Sequence, residues 1–211
     1  MLERLRGAQA VVMRPIARAL LRLGVPADAV TWTGAFGVVI AALVCFPNGW
    51  LWQGAIIVAV LSCSDMIDGH MARLSGRNGR WGGFLDASLD RIADAGVLGG
   101  LAWHLGLVAG AGWAAAAVAA LVWAQTTSYV KARAEAIGCR ADVGLITRAD
   151  RIALALVGAL LAGLGVPFAL EISVVVLVAG GAVTVAQRIV SVRRQVRATS
   201  AARVRGDRVR A

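Results

Sequence analysis

The stretch Asp65-Met66-Ile67-Asp68-Gly69-His70-Met71-Ala72-Arg73, followed after eight further residues by Gly82 and then by Asp86 and Asp90, sets four carboxylates inside a strongly apolar chain. An ionisable side chain at the centre of a bilayer costs about 2.5–3.5 kcal/mol on insertion scales, so four close together require positive charge or water to meet them. Asp65 and Asp68 are three apart and Asp86 and Asp90 four apart. On helices each pair therefore leaves one face about a turn apart, and two such pairs on facing helices would converge. Convergent hard oxygens suit Mg²⁺, Mn²⁺ or Ca²⁺, whereas no Cys or His lies at a spacing that favours zinc.

The surrounding composition sets the class. Of 211 residues, 59% are hydrophobic and 16% charged, and the mean hydropathy of +0.73 lies well beyond that of a soluble domain. No alternating ten-residue strand pattern is visible, so a membrane barrel is not expected. Apolar stretches of about twenty residues predict six transmembrane helices, near 30–47, 51–72, 83–108, 112–132, 151–167 and 171–190. The connections after the first, third and fifth spans carry no Lys or Arg. Those after the second and fourth carry Arg73, Arg77 and Arg80, then Lys131, Arg133, Arg140, Arg148 and Arg151. That alternation predicts an all-α integral membrane protein of the cell membrane with both termini cytoplasmic. Trp50, Trp52 and Trp113 fall at the uncharged turns, as anchors at a lipid interface would.

The formal charge of +10 is concentrated at the ends. Five arginines among apolar residues over 2–23, with no cleavage-type motif, predict an amphipathic helix lying on the cytoplasmic surface and broken near Pro15. Residues 24–192 form the six-span domain, and the arginine-rich 193–211 a disordered cytoplasmic tail facing anionic lipid. The tail lacks aromatic residues that could stack on bases, which argues against nucleic acid as a partner. Asp28 is expected to cap the first span, with Thr31 three residues later. Three cysteines, two of them in apolar runs, imply no disulfide framework. The Ala- and Gly-rich spans, including Gly96, Gly99, Gly100, Gly158, Gly163 and Gly165, predict close helix packing in lipid.

Asp65, Asp68, Gly69, Ala72 and Arg73 mostly share one helix face. The small residues leave room for a ligand to touch the backbone, and Arg73 offers a fork for phosphate. The pattern D-x-x-D-G-x-x-A-R-x8-G-x3-D-x3-D, matched here by Asp65, Asp68, Gly69, Ala72, Arg73, Gly82, Asp86 and Asp90, resembles the signature of the CDP-alcohol phosphotransferase family. The resemblance implies displacement of CMP from a CDP-linked alcohol by the hydroxyl of a second alcohol. It implies that Asp65, Asp68, Asp86 and Asp90 ligate two metal ions, Mg²⁺ or Mn²⁺, that Asp90 is also the general base, and that the enzyme is a homodimer. It further implies that Gly69, Ala72, Arg73 and Gly82 contact the cytidine nucleotide of CDP-diacylglycerol, with Asp28, Ala29, Val30, Thr31 and Gly79 closing over it. Asp94 continues the Asp90 face one turn deeper, either supporting its neighbours or as a polar packing residue.

Lys131, the only lysine, could form a cationic pocket with Arg151 and Arg188 for a phosphate-bearing acceptor. Snorkelling to the interface is the plainer explanation of all three. The segments Ser128 to Glu135, Arg148 to Arg151 and Gln187-Arg188 resemble the actinobacterial branch of the family that makes phosphatidylinositol phosphate, which implies an inositol phosphate as acceptor. Glycerol 3-phosphate would satisfy the same pocket, as in phosphatidylglycerophosphate synthesis. A cation transporter would also carry acids in its spans, but leaves the fixed spacing of Gly69, Ala72, Arg73 and Gly82 unexplained.

Overall fold

The computed structural model describes residues 15–74 and 80–210; the side chains of Asp65, Ala72 and residues 200–210 lie outside the description. Residues 15–22 form α1. There follow α2 (Ala27–Cys45), α3 (Leu51–Ser62), α4 (Ser64–Leu74), α5 (Arg80–Val108), α6 (Ala111–Ala136), α7 (Arg148–Gly163) and α8 (Ala169–Arg210). No strand occurs among the described residues. The predicted surface helix over 1–23 is described only in its last part, and the contacts of Gly79 lie outside the described residues.

Six of these helices close a ring in the order α2, α3, α7, α8, α6, α5, with α5 also touching α7 across it and α4 packed on α2. The centre is filled from every member: Val38, Ala42 and Phe46; Ala55 and Val58; Val97, Leu101 and Leu105; Ala117, Ala120 and Ala124; Ala155 and Ala159; Leu170, Val174 and Leu177. Spacings of three, four and seven give each helix one inward stripe. The opposite faces expose Ile40, Val60, Leu107, Val122, Val157 and Ile172, which water would penalise and lipid does not. Ala27–Cys45, Leu51–Met71 and Ala169–Thr199 are each long and apolar enough to cross a membrane.

Small residues set the helix separations. A Cβ on Gly100 would lie 2.6 Å from the Ala42 carbonyl oxygen and 3.2 Å from Phe46, and one on Gly96 would lie 2.9 Å from Val39. Gly158 and Gly163 are equally enclosed, against Ser173 and against Leu51 and Trp52, whereas Gly99 faces open space and Gly165 makes a turn at φ +88°. Gly100→Ala is expected to force α2 and α5 apart and to cost about 1–3 kcal/mol. It should lower the melting temperature in detergent, while Gly99→Ala should not.

Four expectations are corrected. The second span, Leu51–Met71, stands as a stretch able to cross a membrane, but it is divided into α3 and α4 because the chain tightens at Cys63, whose N–H bonds the Val60 carbonyl at 3.1 Å. The Ser64 hydroxyl donates to the Leu61 carbonyl at 2.7 Å, a local bond that competes with the helical ladder. The N-cap of α2 is Pro26, without a side-chain bond, so Asp28 stands in the first turn, where its charge suits the helix dipole. The fifth span begins earlier, at Arg148, because Thr147 and Asp150 form a reciprocal capping box. Finally, α8 continues to Arg210 in place of an irregular tail. Residues 193–205 contain neither Gly nor Pro, and Arg and Ala are good helix formers.

Candidate active site

Every sequence-predicted site residue within the described region gathers at one end of the ring, the end bearing the arginine-rich connections. Asp28 and Thr31 lie at the start of α2, Asp68, Gly69 and Arg73 on α4, and Gly82, Asp86 and Asp90 at the start of α5. Lys131 is near the end of α6, Arg151 in the first turns of α7, and Arg188 on α8. Trp50 and Trp52 are exposed at the other end, near the α2–α3 turn, while Trp113 packs on the core.

Asp28 accepts a hydrogen bond from Trp81 Nε1 at 3.1 Å, joining the starts of α2 and α5. Thr31 is buried, its hydroxyl donating to the Ala27 carbonyl at 3.2 Å; Ala29 and Val30 beside it are half-buried. Thr31, Gly34, Ser62, Asp90 and Arg148 line a narrow cleft between α2 and α5. Asp68 is buried and Asp86 exposed. Arg73 donates to His70 Nδ1 at 2.8 Å, and His70 Nδ1 also lies 2.8 Å from the Met66 carbonyl. Unlike the enclosed glycines of the bundle, Gly82 has nothing within 4 Å of a built Cβ, and Gly69 only the tip of Arg73 at 3.9 Å. Helix packing therefore does not account for either one. Among the described residues no three His, Cys, Asp or Glu side chains are gathered as a metal site; the expected quartet includes Asp65, whose side chain is outside the description.

Asp90 is instead tied to α7. Arg148 Nη2 lies 2.8 Å from Asp90 Oδ1, and its Nε donates to Asp94 Oδ1 at 3.2 Å. Arg151 Nη2 stands 3.6 Å from Asp94 Oδ2, and Arg91 Nη2 stands 3.9 Å from both carboxylates. Arg148 has no site role in the sequence reading, whereas Arg151, expected in the cationic pocket, meets Asp94 as well. A positive charge in the first turns of a helix opposes its dipole, and that opposition was a legible sign that carboxylates from another helix must meet them.

The cationic side is built on the α6–α7 connection. Lys131 Nζ lies 3.0 Å from Asp142, and its hydrogen bond and charge, with Arg140 and Arg188 adding, hold the Asp142 carboxyl below the usual range. Arg188 donates to the Val143 carbonyl at 2.9 Å and the Thr127 carbonyl at 2.6 Å. Backbone carbonyls orient that guanidinium without cancelling its charge. The loop itself is clasped to α8: Gln195 accepts from the Arg140 N–H at 2.9 Å and donates to the Arg140 carbonyl at 2.6 Å, while the Ile146 N–H donates to Thr184 at 3.2 Å. Gln195 falls outside the predicted domain, and a lone glutamine among arginines gives no signal of this role.

Comparison with known proteins agrees with this geometry. The profile of the CDP-alcohol phosphatidyltransferase family matches residues 25–186. A phosphatidylinositol phosphate synthase of Cutibacterium acnes is 48% identical over 203 residues, covering 92% of this chain and 98% of that protein. The crystal structure of Mycobacterium tuberculosis phosphatidylinositol phosphate synthase with CDP-DAG bound superposes with a TM-score of 0.84 at 40% identity, over 87% of this chain and 94% of the other. The same enzyme in complex with manganese and citrate superposes with a TM-score of 0.81 at 39% identity, over 85% and 88%.

Proposed function

The chain belongs to the CDP-alcohol phosphatidyltransferase family, and from that premise we propose that it transfers the phosphatidyl group of CDP-diacylglycerol to an inositol phosphate, giving phosphatidylinositol phosphate and CMP. The family assignment leaves no role for the cation-transporter alternative. The observation that supports the acceptor is the arginine pair of α7, Arg148 on Asp90 at 2.8 Å and Arg151 on Asp94 at 3.6 Å. A neutral acceptor would have no use for that second arm. The 48% identity to a phosphatidylinositol phosphate synthase supports the same choice over glycerol 3-phosphate.

In this reading the acceptor hydroxyl attacks the phosphorus that bears the diacylglycerol, the bond from that phosphorus to the CMP oxygen breaks, and Asp90 takes the hydroxyl proton. Gly69 and Gly82, with open space where a side chain would stand, let the nucleotide approach the backbone. Ala72, Arg73 and the segment Asp28-Ala29-Val30-Thr31 flank it, and Gly79 is assigned to the same contact. Lys131, Arg151 and Arg188 hold the acceptor phosphate. The enzyme is divalent-metal dependent, a reading supported by the manganese-bound relative. The donor set fits, being carboxylate oxygens on α4 and α5, of which Asp68 is buried and Asp90 half-buried. Asp65, Asp68, Asp86 and Asp90 would hold two ions, Mg²⁺ or Mn²⁺. When bound, the metal supplies charge neutralisation of the diphosphate and of the departing CMP oxygen.

The protein is membrane-embedded. We assign it six spans in the cell membrane, with residues 24–192 as the transferase domain, residues 1–23 on the cytoplasmic surface, both termini and the site facing the cytoplasm, and a homodimeric assembly. The test is CMP release from CDP-diacylglycerol by purified protein with inositol phosphate, free inositol, glycerol 3-phosphate and serine in parallel. Release with inositol phosphate is expected, lost on chelation with EDTA and restored by Mg²⁺ or Mn²⁺. Release with glycerol 3-phosphate alone would keep the family and reject the acceptor.

A further inference from the structure

Asp94 lies outside the eight-residue signature, yet it is among the most buried charged groups described, its side chain 2% exposed. A buried carboxylate is retained only where opposite charge and hydrogen bonds meet it. Here the two carboxylate oxygens serve different arginines of α7: Oδ1 accepts from Arg148 Nε at 3.2 Å, and Oδ2 faces Arg151 Nη2 at 3.6 Å, with Arg91 of α5 also 3.9 Å from Oδ2. Arg148 then reaches Asp90 through its other nitrogen at 2.8 Å. Arg151 Nη2 meets Asp94 by charge at a distance too long for a hydrogen bond, and its Nε and Nη2, both buried, make no hydrogen bond within the described residues. The guanidinium thus retains donor capacity for an anion while Asp94 fixes its position by charge. Neither arginine is there for the sake of α7, whose N-terminal dipole disfavours both.

We propose that Asp94 is a positioning residue that sets the spacing between the proton-accepting carboxylate, Asp90, and the guanidinium of Arg151 that receives the acceptor's phosphate. The proposal rests on the acceptor reading above. An acceptor held at its phosphate reacts only if its hydroxyl meets Asp90, and a misplacement of about 1 Å can cost about 10²-fold in rate. One rigid carboxylate holding an arginine on each oxygen makes that spacing a property of α5 and α7 together, independent of the donor.

The test compares the full-length wild-type protein with Asp94→Asn in detergent, measuring CMP release while inositol phosphate, CDP-diacylglycerol and Mn²⁺ are varied in turn. Asparagine keeps the shape and removes the charge. The expected result is a kcat about 10²-fold lower and an inositol phosphate KM about tenfold higher, with CDP-diacylglycerol KM and Mn²⁺ half-saturation each within about twofold. Unchanged kinetics would overturn the proposal, and so would equal shifts for donor, metal and acceptor, which would make Asp94 a part of the metal site or of the fold. Arg148→Gln keeps the Asp94–Arg151 contact and decides the matter if Asp94→Asn does not purify as a single species. It should lower kcat about tenfold with acceptor KM within about twofold, and an unchanged kcat would reject the Asp90 arm. Glycerol 3-phosphate is run in parallel. If wild type used it alone, the acceptor reading would fail while the Asp94 effect would still be measured on that acceptor.

Discussion

Replacing Asp90 with Asn is expected to lower kcat by about 10²–10⁴ while CDP-diacylglycerol remains bound. Asp90 stands one turn beyond Asp86 and one before Asp94, on the α5 face that meets α2 and α7. Its side chain is 14% exposed, so it is sheltered yet open to the cleft it shares with Thr31, Gly34 and Ser62. Asparagine fills the same volume, so the α2–α5 contact should persist and the melting temperature should barely move. What it lacks is the negative charge that accepts a proton and faces Arg148 at 2.8 Å. Single-turnover CMP release, paired with calorimetric titration of the donor, separates the two roles. A fall in release with donor affinity kept within about tenfold assigns Asp90 to the chemical step. Normal turnover would remove it as the base, and loss of donor binding alone would leave it as a ligand only.

The part of this site legible in the sequence was the part written in spacing. Intervals of three and four among Asp65, Asp68, Asp86 and Asp90 report helix faces directly, and the alternation of arginine-rich and arginine-free connections reported which ends of the helices lie together. Both kinds of signal are local. Which residue of one helix meets which residue of another is not local, and that is where the reading fell short. Asp94 could be seen to share the Asp90 face, but whether it supported the site or merely packed depended on α7, 54 positions along the chain. The same holds for the clasp between Gln195 and Arg140, 55 positions apart. Helix ends were misjudged for a different reason. The break at Cys63 depends on Cys63, Ser64 and their carbonyl partners, a short-range competition that a count of apolar residues averages away. The continuation of α8 past 193 is not marked by an apolar stripe, yet arginine and alanine favour helix regardless of what they face.

Arg151→Ala is expected to raise the KM for inositol phosphate by about 10², a loss of about 3 kcal/mol for a charge-assisted contact removed from a sheltered site. The side chain is 4% exposed, so the screening that reduces surface ion pairs to a fraction of this value does not apply to its guanidinium. Stability is expected to suffer less than the burial suggests, because Asp94 keeps Arg148 at 3.2 Å and is not left unpaired. Arg151→Lys should recover only part of the loss, since a single ammonium cannot reproduce a planar fork directed at both Asp94 and a phosphate. The KM for CDP-diacylglycerol should stay within about twofold in both variants, because the residues proposed to contact the donor lie on α2, α4 and the start of α5. Free inositol supplies the internal control. Whatever slow turnover it supports in wild type should be unchanged by Arg151→Ala, since no phosphate is present to be missed. A variant that loses free inositol and inositol phosphate alike would show that Arg151 serves the fold or the metal region, and equal rises in KM for donor and phosphorylated acceptor would show that the cationic side of the cleft belongs to the nucleotide.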